Sequence, residues 1–413
     1  MVAAAILLAL AAPARAEIWL VPMDLAQTDH LKAYGVAYWA LEQGVKIQWL
    51  LNYRAGSFLM EGGAFLENRA RLQGVRIEEI SAAERTRILD RIEGENMAAV
   101  LLEKAPKVAI YTPPNKQPWD DAVTLALTYA EIPYSTLWDD EVLAGELEKY
   151  DWLHLHHEDF TGQYGKFYAS FQNTDWYRRQ QALYESRARE AGFDKVSEHK
   201  KAVARKIRNF ISRGGFLFSM CSATDTYDIA LAAWKTDICD VMYDGDPPDP
   251  NAQAKLDFSE TLAFENFRLV MNPLVYEYSD IDVSNYAQAD PERDYFTLFE
   301  FSAKHDPIAS MLTQCHVSVV KGFLGQTTAF RRSTVKKEVV VLGEKEGSDE
   351  IKYLHGNFGR GTFSFLGGHD PEDYQHAVGD PPTDLSLHRN SPGYRLILNN
   401  ILFPAAKKKE QKT

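Results

Sequence analysis

The chain has 413 residues, 45% of them hydrophobic and 12% aromatic, with 45 Lys and Arg against 58 Asp and Glu for a formal net charge of -13. That length predicts two closely packed units or one enlarged α/β domain, with ample apolar surface for a core. The acidic balance excludes nucleic acid as a partner, since neutralising phosphates needs a basic face, and three cysteines are too few for a disulfide framework.

In chain order, Ala3 to Ala12 is an apolar run of signal-peptide length, and Ala14-Arg15-Ala16 fits the small-x-small cleavage rule. Residues 1–16 are therefore expected to be a signal peptide, with cleavage near Ala16-Glu17 and a periplasmic or secreted product. The run is too short to span a membrane, so no transmembrane segment is expected.

Residues 17–106 read as an N-terminal β-α-β unit, with strands over 18–21, 45–51 and 75–80 and helices over 31–42 and 65–73. After the second strand, Arg54 in Asn52-Tyr53-Arg54-Ala55-Gly56-Ser57 is positioned to bind an anionic group of a substrate, or else to be solvated. Residues 107–404 read as the main domain, with strands over 107–111, 134–137 and 151–156 and a helix over 120–130. Alternating strands and helices imply a mostly parallel sheet with helices on both faces and working groups at the strands' carboxyl ends.

One such end carries His154-Leu155-His156-His157-Glu158-Asp159. Imidazoles and carboxylates suit a transition ion, and His156, His157 and Glu158 with His369, and with His376 as a further candidate, could complete a site. Strand alternation sets His157 on the opposite face from His154 and His156, which favours structural or substrate-binding roles for His157 and Glu158 and no required cofactor. Residues 160–213 read as a polar helical insertion, either a lid or a surface hairpin of helices.

The stretch Gly214-Gly215-Phe216-Leu217-Phe218-Ser219-Met220-Cys221-Ser222-Ala223 is an apolar strand running into a cysteine with small residues two positions away on each side. That is the pattern of a nucleophile elbow, where a tight strand-to-helix turn leaves no room for bulk at those positions. A helix over 224–233 would aim its first amides, beginning at Ser222, at the sulfur and the substrate. A simple buried thiol is the competing reading. In an oxidising compartment Cys239 and Cys315 could pair, or both remain buried thiols.

Asp244-Gly245-Asp246-Pro247-Pro248-Asp249 lacks the ligand set of a calcium loop and reads as a rigid acidic turn. Short strands between 255 and 347 fit the far edge of the same sheet or a β-rich subdomain beside it. The run from Phe358 through Gly367-Gly368-His369-Asp370-Pro371-Glu372 is a strand ending in a histidine followed by acids, which can supply a cysteine with a base and a group to orient it. The Lys407-Lys408-Lys409 stretch of the 405–413 tail reads as a solvated terminus.

The elbow cysteine answered by this late histidine and acid resembles the class I glutamine amidotransferase-like superfamily. The resemblance implies a flavodoxin-like α/β fold, Cys221 as nucleophile, His369 as base, and Glu372 or Asp370 as the orienting acid. The runs 30–35, 115–121, 152–160 and 367–384 are similar to exported Bacteroidota-type proteins commonly labelled asparagine synthetase B. The chain carries neither a cysteine at the start of its mature form nor a Ser-Gly-Gly-Leu-Asp-Ser pyrophosphate loop. An ATP-dependent synthetase is therefore not expected.

The function read from these residues is hydrolysis of an amide or related acyl bond in a small molecule or peptide. Two alternatives stand beside it. One is a non-catalytic periplasmic binding or envelope-assembly module, with an envelope protein as partner. The other is a metal-dependent or carbohydrate-active protein using His156, His157 and His369, similar to the trehalose-utilisation-like branch.

Overall fold

The computed structural model describes residues 17–115, 121–284 and 288–406. The expected signal peptide and the Lys407 to Lys409 tail lie outside these residues.

The N-terminal unit contains β1 (Glu17–Val21), α1 (His30–Glu42), β2 (Ile47–Leu51), β3 (Ser57–Gly62), α2 (Ala64–Leu72), β4 (Glu78–Ile80), α3 (Ala82–Gly94) and β5 (Ala98–Leu102). Its sheet order is β4-β1-β3-β2-β5, and every neighbouring pair is antiparallel. A parallel β-α-β arrangement was expected here, and β3 is what changes it. The chain reverses after β2 through Asn52, Arg54, Ala55 and Gly56, all at positive φ. It then threads β3 between β1 and β2, which run parallel to each other without touching through hydrogen bonds.

The main sheet begins with β6 (Val108–Tyr111), α4 (Ala122–Tyr129), β7 (Ser135–Leu137), α5 (Asp139–Ala144) and β8 (Trp152–Leu155). Then come α6 (Tyr168–Phe171), α7 (Asp175–Glu190), α8 (Val196–Ser212), β9 (Phe216–Met220), α9 (Ala223–Ala232) and α10 (Val241–Asp244). The rest is β10 (Tyr295–Leu298), α11 (Pro307–Leu312), β11 (Val319–Lys321), β12 (Phe330–Arg331), β13 (Val340–Glu344), β14 (Glu350–Phe358), β15 (Gly361–Leu366) and α12 (Pro392–Leu402).

Strands β7-β6-β8-β9-β15 form a parallel block, so that in chain order these five lie 2-1-3-4-5. β14, β13, β10 and β11 extend the sheet antiparallel from β15, and β12 pairs with β14. The expected far-edge strands are thus part of this sheet, and the sheet is mixed rather than mostly parallel.

Side-chain alternation divides the core. Val108, Ile110, Trp152, Phe216 and Phe218 face α4, α12 and α1, whereas Ala109, Tyr111, Leu153, Leu155 and Leu217 face α5, α8 and α9. Helix α8, expected as part of an insertion, is the crossover from β8 to β9, with Val203, Ala204, Ile207 and Ile211 fully buried against that second face. Helices α6 and α7 with their connections are additions to this crossover, and α7 still packs Tyr177, Tyr184 and Ala188 into the same core.

The two units share one core that runs from Trp19 to Ala405. Where α1 meets α4, a Cβ on Gly35 would stand 1.8 Å from the Ala130 carbonyl oxygen, so glycine alone fits. Arg395 on α12, fully buried, donates to the Met23 carbonyl at 2.8 Å and to that of Ala55, tying both units together.

Candidate functional site

Four strand ends of the parallel block meet at one place. β9 ends at Cys221, β15 at His369, β8 at His156 and His157, and β6 leads toward Asp121, the N-cap of α4. Cys221 has φ +52°, a left-handed conformation that a non-glycine residue holds only when its surroundings enforce it. Ser219 and Ala223 are fully buried on either side. The Cys221 amide donates to the Gly368 carbonyl at 3.2 Å and the Ala223 amide to the His156 carbonyl at 3.0 Å, so the turn is stitched to both neighbouring strand ends.

The sulfur is covered. Cys221 is only 4% exposed, and its Sγ accepts a hydrogen bond from the Gln326 amide at 3.3 Å. Burial pushes the thiol up to about 11, opposed by the amides of Gln326, Ser222 and Thr327 that favour its thiolate. Gln326 and Thr327 belong to a roof over 323–328 that follows β11. It accepts from the His369 amide at Leu324 and from the Gly368 amide at Thr327, each at 2.8 Å. The Gln326 side chain donates to the Gly165 carbonyl at 2.8 Å, and Lys352 on β14 donates to the carbonyls of Phe323 and Thr328 at both ends of the roof.

His369 is 7% exposed, and its Nδ1 meets His156 Nε2. His156 Nδ1 lies 3.1 Å from the Asp121 carboxylate, and His154 Nε2 lies 3.3 Å from it. Burial alone would raise the Asp121 carboxyl, but the two imidazoles hold it well below the usual carboxylate range. An ionised carboxylate only accepts, so it fixes the proton of His156 on Nδ1 and leaves Nε2 as an acceptor. His369 then carries its proton on Nδ1, and its Nε2 presents a lone pair. Burial, followed by the neighbouring imidazoles of His156, His157 and His376, keeps His369 neutral at ordinary pH.

The residues expected from sequence distribute unevenly. Cys221, Ser222, His156, His157 and His369 are brought together, although no hydrogen bond joins Cys221 to His369 among the described residues. Asp370 and Glu372 follow His369 but turn from its ring. Asp370 accepts from the hydroxyls of Tyr394 at 2.9 Å and Thr383 at 2.8 Å, and Glu372 pairs with His388 at 3.0 Å. The carboxylate that orients the histidine pair is Asp121 instead. A signal for it existed, since an aspartate ahead of an apolar helical run after a strand reads as an N-cap at a strand end.

Arg54 stands elsewhere, in the N-terminal sheet, held by Asp24 at 2.6 Å and Glu78 at 2.8 Å. Glu158 turns from the imidazoles toward the Tyr184 hydroxyl at 3.5 Å, where burial pushes it up to about 7. It lines a narrow pocket with His157, Tyr164, Phe167, Gln180 and Tyr184. All three cysteines are free, Cys239 donating to the Thr161 carbonyl at 3.2 Å. The acidic turn gathers Asp237, Asp244 and Asp246 on Lys195. Among the described residues no helix is long and apolar enough to cross a membrane.

No protein-family model matches the chain, and no curated protein matches it. Among solved structures, the cytoplasmic protein STM3548 from Salmonella typhimurium aligns over 73% of this chain and 100% of its own, with 11% identity and a TM-score of 0.36. The cytoplasmic protein STM1381 from Salmonella typhimurium LT2 aligns over the same shares, with 12% identity and a TM-score of 0.36. A catalytic mutant of Gan42B, a GH42 β-galactosidase from G. stearothermophilus, aligns over 64% of this chain and 27% of its own, with 12% identity and a TM-score of 0.26. At such identities and scores the functional reading rests on the chain's own residues.

Proposed function

We propose that the protein is an exported hydrolase of the amidotransferase-like, flavodoxin-like class that cleaves an amide or related acyl bond through Cys221. The observation that carries the reading is Cys221 at positive φ on the end of β9, hydrogen-bonded through its amide to the strand end that bears His369. The 2-1-3-4-5 order of the parallel block supports the fold class. Outside the cytoplasm a biosynthetic ammonia transfer has no acceptor, so hydrolysis is favoured over synthesis.

In this reading a substrate carbonyl enters between the roof and the sulfur and takes over the hydrogen bond that the Gln326 amide gives to Sγ. Sγ attacks the carbonyl carbon while its proton passes to His369 Nε2. His156, backed by Asp121, stabilises the imidazolium that forms. The amides of Ser222, Gln326 and Thr327, which now surround the sulfur, stand where they can donate to the oxyanion. His369 returns the proton to the leaving amine, and water then releases the acyl group.

The test is the rate of iodoacetamide labelling of Cys221, in a background with Cys239→Ser and Cys315→Ser, with and without His369→Ala. Labelling of the folded protein that falls at least tenfold in His369→Ala supports the reading. Labelling that occurs only on unfolding, or that ignores His369, sinks it and leaves the binding-module reading.

A further inference from the structure

The space between the imidazoles admits something other than a proton. One ring nitrogen from each of His156, His157 and His369 lies within 4.8 Å of the other two. The ring centroids stand 4.3 Å apart for His156 and His369, 4.7 Å for His156 and His157, and 5.5 Å for His157 and His369. A tetrahedral zinc ion at ~2.0–2.1 Å from each nitrogen sets its ligands roughly 3.3 Å apart, within reach of small ring rotations.

Two further features fit an ion. His156 presents Nε2 inward because its Nδ1 faces Asp121 at 3.1 Å, the carboxylate–histidine arrangement that orients metal-bound imidazoles. Burial holds both His157 and His369 well below the usual histidine range, in the neutral form that coordinates. His157 is half-buried whereas His156 and His369 are buried, so the cluster reaches toward solvent at His157.

We propose that His156, His157 and His369 bind one divalent transition ion of the zinc class, and that this ion takes the place of the proton between His156 and His369. The site goes beyond the hydrolase reading and does not need it to be right. If both hold, they exclude each other in time. With Nδ1 of His369 coordinated, its remaining proton moves to Nε2, and the ring can no longer accept one from Cys221. The ion is then a reversible inhibitor of the thiol's activation. The donor set is all imidazole, which suits zinc, copper or nickel and disfavours calcium or magnesium.

The experiment uses the full chain with Cys239→Ser and Cys315→Ser, which removes the thiol from the separate Asp237, Cys239 and Asp244 group. It is dialysed against micromolar zinc chloride, and bound metal is counted by elemental analysis. One zinc per chain is expected, with affinity reduced at least 100-fold in His157→Ala and in His369→Ala and about 10- to 100-fold in Asp121→Asn.

Near-ultraviolet circular dichroism of each variant reports its fold, and cobalt substitution of the unmutated site gives a second readout through visible bands of four-coordinate geometry. A chain that takes up no zinc and shows no cobalt bands overturns the site, as does a folded His157→Ala variant that retains full affinity. Iodoacetamide labelling of Cys221 with zinc bound should fall to the His369→Ala rate. Labelling unchanged by bound zinc overturns the inhibitory role, whereas a thiol inert with and without zinc counts against the hydrolase reading and leaves ion binding standing.

Discussion

The N-terminal sheet and the strand-end crevice handle charge in opposite ways. In the first, Arg54 is saturated by Asp24 and Glu78, and the buried Arg395 spends its donors on carbonyls and on Tyr34. In the second, one carboxylate faces two histidines, and beyond them lie neutral imidazoles and a capped thiol. The closed ion pairs of Arg54 bind the N-terminal sheet to itself, and Arg395 of α12, bonded to the carbonyls of Met23 and Ala55, fixes the two units against each other. A polar chain that runs from a carboxylate to an open lone pair, as in the second, is what proton transfer needs.

The contrast breaks most severely at Asp121. Asp121→Asn presents an amide where His156 Nδ1 needs an acceptor, and the misplaced tautomer should slow Cys221 labelling on the order of 10²-fold or more, with the fold intact by circular dichroism. Next in size is Gly35→Val, whose side chain collides with the Ala130 carbonyl; thermal unfolding should show a loss of about 3 kcal/mol or more.

Lys352 sharpens the comparison through pH. Burial lowers its amine to about 7 in the folded chain, against 10.5 when free. Between these values the unfolded chain binds the extra proton, so stability rises with pH from about 7 to about 10.5. Melting temperatures of Lys352→Met should show that rise flattened; an unchanged slope would show the amine to be charged throughout.

Arg54→Met should cost only about 1 kcal/mol, since its ion pairs are a quarter exposed, and should leave Cys221 labelling untouched. Smallest of all, Glu372→Gln should leave labelling within about twofold of the unmutated rate, because its partner is His388. A large effect there would restore the acid that follows His369 to the site.

Much of this crevice was legible in the sequence because apolar strands announce their own ends. Cys221, His156 and His369 each follow such a run, and a parallel sheet places those ends together. The same strand-end logic reaches Asp121 through its N-cap position, but proximity along the chain favours Asp370 and Glu372 as the orienting acid. Those carboxylates are captured by Tyr394, Thr383 and His388, while Asp121 arrives from the far side of β8. The roof over 323–328 escaped notice because it works through backbone amides, which any residue type supplies. The antiparallel N-terminal sheet is hidden in the sequence because β3 follows β2 so closely that Arg54 and its neighbours read as a loop rather than a hairpin turn.

The cover on Cys221 also sets an order of events during biosynthesis. Gln326, whose amide caps the sulfur, is synthesised 105 residues after it, and Gly368 and His369 later still. Until β15 is made and inserted, the thiol stands at the edge of an unfinished sheet, open to oxidants and to other nascent chains. Renaturation yields should therefore depend on reductant during refolding and cease to depend on it once the last parallel strand has docked.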